Sequence, residues 1–187
     1  MRVQVGKPAP AFDAIAYVRG ESAPVRLSLR QCHGRWVVLF FYPRDFTFVC
    51  PTELQAFAGL EAEFTRESAL VLAASTDSYH SHKAWFESDT RLRGVAYPVI
   101  ADSSHRLARA FGVLVEEEGM ALRGTFIIDP DRVIRHVQIN DLDVGRNVDE
   151  ILRTLRALRT GAVCPVGWEP GRPTLSGALP ADEALAA

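Results

Sequence analysis

Three thiols, those of Cys32, Cys50 and Cys164, are the softest nucleophiles in this 187-residue chain. They are too few and too scattered for a disulfide scaffold or a zinc site. In a reducing compartment such cysteines are either buried and inert or catalytic. Cys50 stands apart because of its surroundings, Phe40-Phe41-Tyr42-Pro43-Arg44-Asp45-Phe46-Thr47-Phe48-Val49-Cys50-Pro51-Thr52-Glu53. A hydroxyl, Thr47, precedes the thiol by three residues, and a carboxylate, Glu53, follows it by three. A dithiol exchange centre would need C-x-x-C, and Thr47 occupies the place of its first cysteine. One nucleophilic sulfur with a hydroxyl beside it is left.

The elements that must position this thiol follow from hydrophobic pattern. Val37 to Tyr42 is continuously apolar, β-branched and aromatic, and Pro43 ends it, as in a strand covered on both faces. Leu54, Phe57, Ala58, Leu60 and Phe64 then bring in a helical period that predicts a helix to about Glu67. Cys50 falls at the junction, near unpaired backbone N–H groups and the positive end of the helix dipole, which favour thiolate. Two registers are open. With Cys50 as N-cap, Pro51 sits at N1 and Glu53 at N3 reaches back to the Cys50 N–H. With Thr47 as N-cap, Pro51 removes an early hydrogen bond and leaves the first turn weakly tied. In either register the turn opens at modest cost. Glu53 also poses a problem of sign, since a negative charge near Cys50 opposes thiolate formation and demands a compensating cation. Local spacing does not identify that cation.

The remaining chain alternates strands and helices. Residues 3 to 30 read as an entry loop and a β-hairpin, and Leu70 to Ser75 as a strand parallel to the first through a right-handed crossover. Asp77 or Ser78 caps a helix through Glu87, Tyr97 to Ile100 is a short strand, and Ser103 or Ser104 opens a helix to Phe111. Thr125 to Asp129 and Val133 to Ile139 form an antiparallel hairpin, followed by a helix from Asn147 to Arg159. Two β-α-β units, a hairpin and a helix describe a thioredoxin-like α/β fold, a central mixed β-sheet flanked by helices, with an N-terminal β-hairpin extension. We expect one domain over 1–160 and an extended C-terminal arm over 161–187. Prolines and glycines exclude regular structure from that arm, which carries Cys164 and ends in a frayed Leu179 to Ala187.

A net charge of −2 gives no basic field to attract nucleic acid or anionic lipid. No run approaches the ~18 apolar residues of a membrane span, and the N-terminus lacks an apolar leader, so a cytoplasmic protein is expected. No carboxylate or cysteine cluster joins His80 and His82 at ligand spacing, and neither a metal nor a cofactor is expected.

The spacing Pro43-x-x-x-Thr47-x-x-Cys50 resembles the active-site motif of the peroxiredoxins, and the segment Phe40 to Leu54 resembles that of the peroxidase component of bacterial alkyl hydroperoxide reductase. The resemblance spans roughly residues 3 to 178. It implies that Cys50 is the peroxidatic cysteine, that Thr47 exchanges hydrogen bonds with sulfur and peroxide, and that Pro43 shields the sulfur from water. Leu122 to Asp129 matches the strand that carries the family's active-site arginine, which assigns Arg123 as the missing cation; its bland alternative is a solvated strand end. Arg146 matches a position that supports Glu53. Val163-Cys164-Pro165, followed by Trp168, resembles the resolving segment of typical two-cysteine members. Ser81 to Trp85 resembles a segment near contacts between dimers. Cys32 has no counterpart and reads as non-catalytic.

The implied activity is reduction of hydrogen peroxide and organic hydroperoxides through a Cys50 sulfenic acid and a Cys50–Cys164 disulfide between subunits. The implied reductant is an external dithiol protein, such as a thioredoxin or a flavoprotein of the alkyl hydroperoxide reductase type. The implied assembly is a homodimer that closes into a decamer. A Gly-Gly-Leu-Gly insertion is missing between Arg91 and Pro98, and the tail lacks a Tyr-Phe helix, which predicts easy opening and resistance to overoxidation. A holdase chaperone and a thioredoxin-like disulfide exchanger remain alternatives, the second opposed by Thr47.

Overall fold

The computed structural model describes residues 3–175. The described residues group into two compact units that meet in sequence at Val148 and Asp149. The proposed frayed end, Leu179 to Ala187, lies outside the described residues.

In the first unit the hairpin β1 (Asp13–Tyr17) and β2 (Val25–Ser28) is followed by β3 (Trp36–Phe41), α1 (Cys50–Gly59), α2 (Glu61–Arg66), β4 (Ala69–Ser75) and α3 (Tyr79–Ser88). Then come β5 (Val99–Ala101), α4 (Arg106–Ala110), a small hairpin of β6 (Leu114–Val115) and β7 (Met120–Ala121), β8 (Arg123–Ile128) and β9 (Ile134–Asn140). A seven-stranded sheet runs β2-β1-β5-β4-β3-β8-β9. As the pattern requires, β3 and β4 are parallel across the α1–α2 crossover, and β8 and β9 are antiparallel.

The apolar run of β3 is buried on both faces because it lies between β4 and β8 and has packing on either side. Val37, Leu39 and Phe41 join Leu72, Phe111, Phe126 and Ile128 in one core cluster. On the other face Phe40 stacks on Phe57 of α1 with ring centroids 4.0 Å apart and meets Tyr97 edge-on at 5.9 Å. The Tyr97 hydroxyl donates to the Leu54 carbonyl at 2.8 Å, which fixes α1 over the end of β3.

Several boundaries differ from the sequence expectation. The helix expected to reach Glu67 breaks at Leu60 (φ −105°, ψ 5°), directly after Gly59, whose poor helix propensity weakens that point. Ser78 does cap α3, accepting from the Ser81 N–H at 3.1 Å. Neither Ser103 nor Ser104 caps α4. Asp102 does so from farther back, accepting from Leu107 and Ala108 at 3.0 and 2.7 Å, because His105 turns left-handed (φ 58°) and returns the chain toward that carboxylate.

The helix α5 (Val148–Arg159) starts at the last residue of the first unit, and within the second unit it carries Ile151, Leu152 and Leu155 as a buried stripe. From Gly161 to Leu175 there is neither helix nor strand. The segment forms successive turns, with Trp168 N–H donating to the Pro165 carbonyl at 3.1 Å and Leu175 N–H to the Val163 carbonyl at 2.7 Å.

Candidate active site

Cys50 is the first residue of α1 and is fully buried. Neither expected N-cap holds. Val49 occupies that place in helical conformation and offers no side-chain cap. Pro51 therefore sits in the first turn, where a missing N–H leaves no hydrogen bond unmade. The Val49 carbonyl accepts from Thr52 twice, from its N–H at 3.0 Å and its hydroxyl at 2.6 Å.

The Glu53 carboxylate does not return to the Cys50 N–H; two arginines take it. Arg123 Nη1 donates to Glu53 Oε2 at 2.7 Å. Arg146 makes a bidentate pair with the same carboxylate, Nε to Oε1 and Nη2 to Oε2, both at 2.8 Å, and its backbone N–H donates to Oε1 at 2.9 Å. Arg146 spends Nη1 on the Phe41 and Gly124 carbonyls, at 2.7 and 3.0 Å, and lies over the Phe40 ring at 4.9 Å. All three side chains are at most 5% exposed. Burial opposes ionisation of Glu53, but the Arg146 and Arg123 bonds outweigh it and hold the carboxyl below its ordinary range.

With Glu53 neutralised twice over, Arg123 is left as the positive group facing the thiol. Its Nη1 lies 3.5 Å from Cys50 Sγ, and its Nε is pinned by the Leu142 carbonyl at 2.7 Å. Strand register explains its aim. Thr125 pairs with Phe40 and Ile127 with Val38, so two further residues along β8 bring Arg123 level with Tyr42, on the Phe40 face that α1 covers. Gly124 is required beside it, since a Cβ there would meet Val113 Cγ1 at 2.6 Å.

Pro43 is buried two residues beyond the end of β3. Thr47 is half-buried, and its hydroxyl donates to the Arg44 carbonyl at 3.0 Å, closing a turn of the loop before Cys50. Within that loop Phe46 has φ 56°, a left-handed backbone that costs a bulky residue of order 1–3 kcal/mol. The structure thus brings Cys50, Glu53, Arg123 and Arg146 into one bonded cluster. Cys164 belongs to the second unit, where its half-buried sulfur lies 3.5 Å from the Thr160 hydroxyl and 3.8 Å from the Ala157 carbonyl.

Sequence reasoning missed the buried polar group behind the loop: Tyr42, Asp45, Ser75, Asp77 and His82. The available signal was a lone acid, Asp45, inside an otherwise aromatic segment, which must find partners if buried. His82, two residues from His80 in sequence, turns its ring to Asp45.

A parallel β-α-β core with an antiparallel hairpin carries one enclosed thiol at a helix start, facing a guanidinium, on a thioredoxin-like α/β fold. Residues 5–137 match the AhpC/TSA family, and the chain belongs to it. Peroxiredoxin prdx-2 of Caenorhabditis elegans is 51% identical over 178 residues, covering 91% of this chain and 88% of that protein. The reduced 2-Cys peroxiredoxin of Plasmodium vivax matches with a TM-score of 0.86 at 33% identity, covering 91% of each chain. AhpC of Enterococcus faecalis matches with a TM-score of 0.83 at 38% identity, covering 88% of this chain and all of that one. The chain is accordingly a thiol-dependent peroxidase of the peroxiredoxin class. Family membership implies a peroxide substrate and a dithiol reductant.

Proposed function

We propose that Cys50 is the attacking sulfur and Cys164 of a partner subunit the resolving one. The Cys50 thiolate attacks the distal oxygen of a hydroperoxide; an S–O bond forms, the O–O bond breaks, and the leaving oxygen takes a proton and departs as water or alcohol. Thiolate character alone does not make this fast. The rest of the barrier reduction comes from donors that hold the two oxygens in line and stabilise charge on the leaving oxygen. Arg123 supplies that donor, Thr47 a hydroxyl at the mouth, and Pro43 a wall against water. Glu53 and Arg146 hold Arg123 in place. The observation that carries this reading is the placement of Arg123 Nη1, shared between Glu53 Oε2 at 2.7 Å and Cys50 Sγ at 3.5 Å.

The Cys164 thiolate then displaces the sulfenic oxygen as water, forming a disulfide between subunits that an external dithiol reduces. The finer assignments belong to the same proposal: a thioredoxin or a flavoprotein as reductant, a cytoplasmic location, a homodimer that closes into a decamer, and a 1–160 domain with a 161–187 arm. Two observations support self-assembly. The edge strand β9 exposes Ile139 at 44%, and the Cys50 loop exposes Phe48 at 92%. Among the described residues no helix is long and apolar enough to cross a membrane.

One equivalent of hydrogen peroxide, followed by non-reducing electrophoresis and intact mass on wild type and Cys164→Ser, tests the cycle. A covalent dimer in wild type and a monomeric Cys50 sulfenic acid in the variant are the expected results. Cys50 sulfenic acid without any dimer would demote Cys164 to a bystander. Sulfinic acid at low peroxide would overturn the expected resistance to overoxidation.

A further inference from the structure

We propose that Asp45 is a positioning residue, a buried latch that holds the Cys50 loop shut and so sets how an oxidised Cys50 is partitioned. This inference rests on the assignment of Cys50 as the attacking sulfur.

Asp45 lies in the loop between β3 and α1, yet its side chain is only 1% exposed. Its Oδ1 accepts from the Tyr42 hydroxyl at 2.7 Å, and its Oδ2 accepts from the Ser81 hydroxyl at 2.7 Å. His82 Nδ1 lies 2.8 Å from Oδ2, and the opposite ring nitrogen lies 3.3 Å from the Ile100 carbonyl. The Asp45 N–H donates to Asp77 Oδ2 at 2.8 Å, and Asp77 is itself fixed by the Ser75 hydroxyl at 2.9 Å. Burial, then the Asp45 carboxylate, pushes the Tyr42 phenol well above its ordinary value, so it remains a donor. Every one of these partners belongs to the framework, at the end of β3, after β4, on α3 or in β5.

The residues that follow have a weaker hold. Phe46 is left-handed, 63% exposed and 5.8 Å from Trp85; Phe48 is 92% exposed; Thr47 bonds within its own loop. The other polar tie, Arg44 Nη2 to the Glu118 carbonyl at 2.6 Å, lies at the surface. A strained turn persists only where neighbours over-determine it, and Asp45 is the neighbour that does so here. Releasing Asp45 lets Phe46 relax and the first turn of α1 move.

Opening decides the fate of the sulfenic acid. If the loop opens, a second thiolate displaces water and an S–S bond forms. If it stays closed, a second hydroperoxide transfers one oxygen to sulfur, its O–O bond breaks, the alcohol leaves, and Cys50 becomes sulfinic. A tighter latch therefore favours the sulfinic branch.

The test uses the full chain with Asp45→Asn, His82→Gln and Ser81→Ala. In the reduced protein, amide hydrogen exchange at Thr52 and Glu53, whose N–H groups donate to the Val49 carbonyl at 3.0 and 3.4 Å in the first turn of α1, is expected to accelerate about tenfold in Ser81→Ala and about 100-fold in the other two, from lost charge-assisted hydrogen bonds. Amides of β3 and β4 stay at wild-type rates. On peroxide titration the sulfinic-to-disulfide ratio falls in the same rank order. Exchange at Thr52 and Glu53 within about twofold of wild type in every variant would overturn the latch. So would equal acceleration in β3, which marks general support, or faster exchange at those two amides with an unchanged ratio. Ser81→Ala, which deletes one hydroxyl from α3, keeps the test open should Asp45→Asn fail to fold. The exchange comparison uses no peroxide, so failure of the peroxidase reading would appear separately, as a wild type unoxidised at Cys50.

Discussion

Cys50 and Cys32 are thiols of the same unit, 0% and 2% exposed, but their polar partners have opposite character. Cys50 faces a donor, the Arg123 guanidinium at 3.5 Å, whereas Cys32 points its own S–H at the Ser28 carbonyl, 3.7 Å away. For Cys32 burial dominates and pushes the thiol up, with Arg35 offsetting only part of it. Enclosure without an aimed donor makes an inert sulfur, which wants its proton because Arg35 offsets only part of the cost of burying a charge. Enclosure with an aimed cation makes a site where developing charge is stabilised without water. The cost of the second arrangement is structural: Arg123 cannot be buried without Glu53, nor Glu53 held between two arginines without Arg146.

The largest effect that would break the contrast is loss of the sulfur itself. Cys50→Ser should lower peroxide consumption by at least about 10⁴-fold, while Cys32→Ala stays within about twofold of wild type. Equal losses would make both cysteines catalytic.

Next comes the supporting charge. Arg146→Met strips the bidentate partner from buried Glu53 and should cost about 3–5 kcal/mol, read as a lower denaturant midpoint at unchanged slope. Arg123→Met leaves Glu53 paired with Arg146, so the fold should survive. Its expected loss is kinetic, about 10²–10³-fold in kcat/KM for peroxide, the scale for removing one donor to a developing oxyanion.

A pH titration separates the two regions by sign. The folded state holds Glu53 below its ordinary value, so its contribution to stability is present above the ordinary carboxylate range and lost as pH falls through the folded value. Cys32 is raised, so its contribution is present below the ordinary thiol range and lost as pH rises through the folded value. Acid melts should therefore converge between wild type and Glu53→Gln, and alkaline melts between wild type and Cys32→Ala. The reverse pairing would invert the contrast. The smallest effect is the stability change of Cys32→Ala near neutral pH, about 1 kcal/mol from a lost buried sulfur.

The two regions were not equally legible. Cys50 announced itself through local chemistry, a thiol between a buried strand and a helical period, with a hydroxyl three residues before it. The problem of sign at Glu53 was also local, and it demanded a cation. Its solution was not local. Arg123 and Arg146 lie 70 and 93 residues from Glu53 in sequence, and only the resemblance pointed to them. The helix start shows the same limit: pattern placed it to within a residue or two, but the N-cap is Val49, and Glu53 is held by the arginines rather than by the Cys50 N–H. Asp45 escaped because its distant partners come from α3 and from Asp77 after β4, which no spacing around Pro43 and Thr47 reveals.

The sequence alone determined a buried strand through Val37 to Phe41, which ends one residue short of the expected Tyr42, a helix beginning at or beside Cys50, and the β-α-β alternation around them. These depend on hydrophobic periods of two and 3.6 residues, which are written within a dozen positions. Only the tertiary structure decided that β8 pairs with β3 in the register that sets Arg123 level with Tyr42 and aims it at the sulfur. A one-residue slip would turn that side chain to the opposite face, and register is fixed by the packing of the whole sheet rather than by any one strand.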